Sequence, residues 1–114
     1  MQKELLPDFL HLFHNFGPHN AQLLCLLEYF HGNPESIRRS SRKELRDIGL
    51  KQNAITRINA ICEQRVERDL AWAEADDNHL ICFDDIAYPP LLRQINDYPA
   101  MLYARGRHLG PVRR

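Results

Sequence analysis

Apolar residues return every three to four positions through the first two thirds of the chain, a spacing that predicts helices packed on one side. Leu5, Leu6, Phe9, Leu12, Phe13 and Phe16 define a first helix from about Lys3 to Asn15. Gly17-Pro18 interrupts it, and Pro18 suits the opening of the next helix, where a missing N–H costs nothing. That second helix carries Ala21, Leu23, Leu24, Cys25, Leu26, Leu27, Tyr29 and Phe30. It is apolar on almost every side, so it is expected to be the central, most buried helix. It stops near Gly32-Asn33-Pro34, and a short helix runs from Pro34 through Arg39. Ser40 or Ser41 caps another, which carries Leu45 and Ile48 and is broken by Gly49. From Lys51 a stripe of Ala54, Ile55, Ile58, Ile61, Cys62, Val66, Leu70 and Trp72 continues a helix to about Ala75.

The pattern changes at Asp76-Asp77-Asn78. His79 to Phe83 is a short apolar run bounded by acidic turn residues, which predicts a buried strand. Tyr88-Pro89-Pro90 opens a brief helix, Leu91 to Ile95, and Met101 to Ala104 predicts a second strand ending at Gly106. Strand, helix, strand is how an α/β unit begins. Two strands and one short helix cannot bury both faces of a sheet. The unit is therefore expected to be incomplete, with strand edges poorly ordered or paired with another copy. The expected fold is mainly α, a helical domain over residues 1–75 followed over 76–114 by the start of a second domain.

Composition narrows the class only a little. With 44% hydrophobic and 26% charged residues the chain is ordinary for a globular protein. The opening MQKELLPDFLHLF is interrupted by Pro7, Asp8 and His11, unlike a signal peptide, and no apolar run approaches a membrane span. A cytoplasmic location and no membrane contact are expected. Cys25, Cys62 and Cys82 form no C-x-x-C pair, so free buried or half-buried thiols are expected rather than a metal site or disulfides.

The net charge of zero is a cancellation. Between Ile37 and Ile58, Arg38, Arg39, Arg42, Lys43, Arg46, Lys51 and Arg57 oppose only Glu44 and Asp47. From Asn59 to Asp85 acids dominate, with Glu63, Glu67, Asp69, Glu74, Asp76, Asp77, Asp84 and Asp85 against Arg65 and Arg68. The tail turns basic again at Arg105, Arg107, Arg113 and Arg114. Such asymmetry bears on partners more than the sum does.

Two segments share a cadence. Phe13-His14-Asn15-Phe16-Gly17 can be laid beside Leu45-Arg46-Asp47-Ile48-Gly49, each followed by an early Ala in the next helix. Both resemble the helix-hairpin-helix motif, whose turn usually carries Gly where Asn15 and Asp47 stand. A tight turn between helices needs a residue that tolerates positive φ. It then aims N–H groups and a helix N-terminus at an anion such as a DNA phosphate. The second turn adds Lys51, Arg57 and the preceding arginines, while the first offers only His19. Asp47 opposes phosphate approach, and at both turns Gly17 and Gly49 equally allow simple close helix packing. Both readings stay open.

The most specific stretch runs from Ile81 to Gly106, with Tyr88-Pro89, Leu91, Leu92, Ile95, Pro99, an apolar pair Met101-Leu102 and then Gly106. It resembles the region leading into the Rossmann-like domain of the DNA-processing protein A family (DprA, also called Smf). That family often carries an upstream sterile-alpha-motif-like helical domain with degenerate hairpins, which Phe16-Gly17-Pro18 and Glu44 to Leu50 match. The resemblance implies the N-terminal fragment of such a protein, ending in the first β-α-β elements of a truncated Rossmann-like domain. It further implies single-stranded DNA and the RecA recombinase as partners during natural transformation, action as a homodimer, and no turnover chemistry. The family's main DNA pocket, around a Gly-Ser-Arg segment, has no counterpart here. Tyr88, Pro89 and Pro99 read as architectural, since proline punctuates strand and helix boundaries.

No catalytic residues, metal ligands or cofactor are assigned. Asp84 and Asp85 are adjacent and on a strand would point to opposite faces, and His11 and His14 share a helical face without a third ligand. Two functions remain. One is an accessory DNA-binding domain using Arg38, Arg39, Arg42, Lys43, Lys51 and Arg57, with hairpin turns at Asn15, Gly17, Asp47 and Gly49. The other is a protein-interaction or regulatory domain with no DNA binding of its own.

Overall fold

The protein, seen in a computed structural model that describes residues 1–106, is mainly helical with one small sheet. A 3-10 turn, Lys3–Leu5, leads into α1 (Leu6–Phe16), and α2 (Ala21–Tyr29), α3 (Pro34–Arg39), α4 (Arg42–Asp47), α5 (Gln52–Asn59) and α6 (Glu63–Ala73) follow. Strands β1 (Asn78–Cys82) and β2 (Met101–Arg105) close the described chain, with a 3-10 turn at Pro90–Gln94 between them. Among the described residues no helix is long and apolar enough to cross a membrane. The basic tail positions Arg107, Arg113 and Arg114 lie outside the described residues.

Local chemistry sets most boundaries. Asn20 caps α2 by accepting from the N–H groups of Gln22 and Leu23 at 2.9 and 3.2 Å, so Asn20, not Pro18, opens that helix. Asn33 caps α3 through Ser36 N–H at 3.1 Å, with Pro34 in the first turn. Ser41 and Glu44 cap α4 reciprocally, Glu44 N–H donating to Ser41 Oγ at 3.1 Å and Ser41 N–H to Glu44 Oε1 at 2.8 Å. The end of α4 is a Schellman turn. Gly49 at φ +101° lets its N–H reach Arg46 O at 2.9 Å while Leu50 N–H reaches Leu45 O at 3.1 Å.

The central helix is α1, not α2. Phe9, Leu10, His11, Leu12, Phe13 and Phe16 are all buried, and α1 packs against α2, α3, α5 and α6. In α2 only Leu23, Leu26 and Leu27 are buried, while Cys25 is exposed and Tyr29 is 60% exposed. An apolar sequence thus leaves part of its surface open. Cys25 lines the open side instead of joining the core, whereas Cys82 is buried and its thiol is pushed up to about 12, by burial first and then by the charge of Asp85.

The stripe from Lys51 to Ala75 is two helices. Ala60 turns extended at ψ 150°, and long-range side chains collect the carbonyls left free at the end of α5. Asn15 donates to Arg57 O and Ala60 O, both at 2.8 Å. Arg38 donates to Ile58 O at 3.4 Å and Ala60 O at 3.5 Å while pairing with Asp8 at 3.0 Å. A guanidinium at a helix C-terminus satisfies its carbonyls and its negative end together. Ile61, counted as core in the stripe, is 73% exposed in the break.

β1 and β2 pair with each other, antiparallel, in the register Asn78↔Arg105 to Cys82↔Met101. Neither disorder nor a second copy is needed to pair them, and an antiparallel pair is not the parallel crossover of a β-α-β unit. The segment between them folds around Tyr88, fully buried, whose hydroxyl donates to Pro99 O at 2.6 Å. The Arg93 guanidinium lies 5.0 Å from the centre of its ring. Asp84 and Asp85 fall beyond the end of β1, where both carboxylates meet the Met1 ammonium instead of pointing apart. The buried cluster is continuous from Phe9 and Leu45 to Cys82, Ala100 and Met101. A polar tie joins α1, α6 and β2: Asp69 Oδ2 accepts from Tyr103 Oη at 2.8 Å and bonds His14 Nε2 at 2.6 Å.

Candidate nucleic-acid interface

The structure divides the six cations selected from the sequence. Arg38 is taken out of contention: its guanidinium is largely buried, and its donors serve Asp8 and the α5 terminus. Breaking those bonds to reach a phosphate would expose the end of α5. Arg39 and Lys43 are exposed but engaged with carboxylates one turn away, Arg39 with Glu35 at 3.3 Å and Lys43 with Asp47 at 3.1 Å. Exposed pairs of this kind contribute only tenths of a kcal/mol and exchange readily. Arg57 is exposed, 5.9 Å from the centre of the Phe16 ring. Arg42 and Lys51 are exposed and have no carboxylate partner among the described residues.

Arg46 belongs with the last two. It was counted in the basic run but not among the candidates, yet it is exposed and likewise unpaired among the described residues. Its signal was the i, i+4 spacing from Arg42, which places both on one face of α4.

The turns behave differently from the motif they resemble. Asn15 and Asp47 are the penultimate residue of α1 and the last of α4, in helical conformation, and neither takes positive φ. That role falls to Gly17 at φ +92° and Gly49 at φ +101°. Asn15 is a cap for α5, as described, and the Asp47 carboxylate is turned to Lys43.

At the first turn, His19 Nδ1 lies 3.2 Å from Asp97 O and Asn20 caps α2, so the segment before β2 lies against this turn. At the second, α5 starts at Lys51 with no side-chain cap. Ala54 N–H is taken by Lys51 O at 3.1 Å and Asn53 Oδ1 at 2.9 Å, but among the described residues the N–H groups of Gln52 and Asn53 remain available beside Lys51, with Arg42 and Arg46 on the helix just before. Among the described residues no group of three His, Cys, Asp or Glu side chains could hold a metal ion. His11 and His14 instead face carboxylates of α6, Glu63 at 3.9 Å and Asp69 at 2.6 Å.

An apolar recess of about 260 Å³ lies beside the second turn, where Cys25, Leu26 and Tyr29 of α2 meet Ile48 and Leu50. It is the open flank of α2 noted above.

Comparison with known proteins gives one informative likeness. The chain is 34% identical over 62 residues to Protein Smf of Escherichia coli (strain K12), a stretch that is 54% of this chain and 17% of that protein. The likeness supports a relationship to the DprA family. The chain thus matches only about one sixth of the length of that curated relative. No family model matches the chain, and no solved structure matches it.

Proposed function

We propose that the chain is the N-terminal part of a cytoplasmic DprA-like protein and that its α4–α5 hairpin is an accessory contact for DNA phosphates. The observation that carries this reading is the open turn at Gly49, where the start of α5, with no side-chain cap from Lys51, meets Arg42, Arg46 and Lys51, all unpaired among the described residues. Free N–H groups and the positive end of a helix attract an anion, and the flanking cations add salt-dependent affinity. The two turns are then degenerate helix-hairpin-helix elements on a sterile-alpha-motif-like domain. Residues 76–114 are the start of a Rossmann-like domain. In the full-length protein the partners are single-stranded DNA, RecA and a second copy, and the work is binding and hand-over without turnover chemistry. The likeness to Smf supports this assignment in outline.

Titration of a labelled single-stranded oligonucleotide by fluorescence anisotropy tests the hairpin. Binding is expected at low ionic strength and should fall steeply with salt. Lys51→Glu with Arg42→Glu should weaken it and lower the magnitude of the salt slope by about two. Arg39→Gln should do less, because Arg39 is already paired. No binding at low ionic strength would remove the DNA reading.

The exposed apolar flank of α2 favours a second reading, a protein-interaction domain docking through Tyr29 and the recess at Ile48. Under that reading oligonucleotides do not bind, and Tyr29→Ala rather than Lys51→Glu abolishes the association.

A further inference from the structure

The seam between α6 and β2 holds chemistry that the α4–α5 hairpin does not use. At 100° per residue, Arg65, Arg68, Asp69 and Trp72 fall on one side of α6, with Glu63 and Glu67 on the opposite side. Both glutamates of this helix therefore lie away from its arginines, and Asp69 is the one acid on the arginine side. On β2, strand alternation puts Tyr103 and Arg105 on a common face. The two elements meet where the Trp72 and Tyr103 rings lie edge to face, 5.6 Å between centres at 76°. Arg68, Asp69, Trp72 and Tyr103 line a recess of about 260 Å³ there.

Three features make this more than packing. The Tyr103 ring is fixed by its hydroxyl, which donates to Asp69 Oδ2, and yet is 47% exposed. Asp69 is itself buried, and its second oxygen, Oδ1, takes no hydrogen bond among the described residues although the side chain lines the recess. Among the described residues Arg65 and Arg68 are exposed without a carboxylate partner, and the one side-chain bond of Arg105 is a long one of 3.4 Å to Asn78 Oδ1.

Aromatic rings interleaved with unpaired cations form the usual platform for unpaired bases and their phosphates. We infer that this seam binds single-stranded nucleic acid, with one base stacked on Tyr103 beside Trp72 and donating to Asp69 Oδ1, and the adjoining phosphates paired with Arg68 and Arg105. A base held in a duplex cannot enter the recess without leaving its stack. The site is separate from the α4–α5 contact and goes beyond it.

The chain has a single tryptophan, Trp72, so its emission reports on the seam alone. Adding oligodeoxycytidine at neutral pH and low ionic strength is expected to quench that emission saturably, whereas a duplex is expected to leave it unchanged. Tyr103→Ala should weaken the quench titration roughly five- to hundredfold, the range for loss of one stacked base. Arg68→Gln with Arg105→Gln leaves both rings in place and should lower the magnitude of the salt slope by about two, which keeps the test valid if Tyr103→Ala disturbs β2.

Oligonucleotide that binds by anisotropy without quenching Trp72 would overturn the seam while leaving the hairpin reading standing. A quench that survives both Tyr103→Ala and the double arginine change would also overturn it.

Discussion

At the turn between α1 and α2, Asn15, His19 and Asn20 are all bonded to other parts of the molecule, to the end of α5, to Asp97 O and to the start of α2. At the turn between α4 and α5, Lys51 and the N–H groups of Gln52 and Asn53 have no such engagement among the described residues, where Arg42 and Arg46 also stand unpaired on the adjoining helix. Both turns rest on a glycine at positive φ, near +92° and +101°. Shared backbone geometry has therefore been put to two uses, a structural joint in one case and an open polar end in the other. A glycine at a helix end identifies a turn, and the neighbouring side chains decide whether anything can reach it.

The joint depends most on Arg38, which continues the work of Asn15 across the end of α5. Arg38→Met is expected to cost about 2–3 kcal/mol, since it strands Asp8 and removes charged donors from the α5 carbonyls. Urea denaturation measures this directly, and a loss below about 0.5 kcal/mol would show that the break at Ala60 holds without it.

Next in size is the pair of glycine changes. Gly17 sits at φ +92°, ψ 159°, a region open to little but glycine, so Gly17→Ala should cost about 2–3 kcal/mol. Gly49→Ala should cost about 1–2 kcal/mol. Neither added methyl group would meet an atom within 4 Å, so both costs belong to the backbone. Equal losses, measured by thermal denaturation, would erase the distinction between the two turns.

The cap of α4 gives a pH-dependent effect of smaller size. The Ser41 N–H and then its hydroxyl hold the Glu44 carboxyl below the usual glutamate range. A lowered folded-state pKa adds stability that is present above the unfolded value and is lost as pH falls through the folded one. Amides of α4 should therefore lose protection on acidification, in a titration that tracks the Glu44 carboxyl by NMR. Ser41→Ala keeps the backbone N–H that contributes most, so it should reduce that dependence without removing it, and cost about 1 kcal/mol at neutral pH. Smallest of all, Lys51→Glu should leave stability within about 0.5 kcal/mol while changing oligonucleotide affinity.

Fold features written in neighbouring residues were legible beforehand. Pro34 and Arg39 bound α3 as expected, the capping role of Ser41 follows from Glu44 three places on, and Gly49 closes α4. The strands lie within a residue of where the apolar runs put them. The break inside the stripe from Lys51 to Ala75 was not legible, because Ala60, Ile61 and Cys62 contain no helix breaker. The identity of the central helix was missed for a related reason. Composition ranks α2 above α1, but burial depends on how many elements a helix touches.

The candidate interface was half legible. Charge counting found the basic run, and helical spacing could have added Arg46. It could not separate Arg38, whose partners Asp8, Ile58 and Ala60 lie 20 to 30 residues away along the chain. The Trp72–Tyr103 seam lay further out of reach, since α6 and β2 are joined only in space.

What the amino-acid order determined alone is the set of caps, glycine turns and apolar periods, because each needs only groups within a few positions of one another. Tertiary structure decided which helix is central, where the long stripe divides and which cations remain free. Those outcomes turn on competition for the same donors and carbonyls between segments far apart in sequence, and that competition is settled only when they pack together.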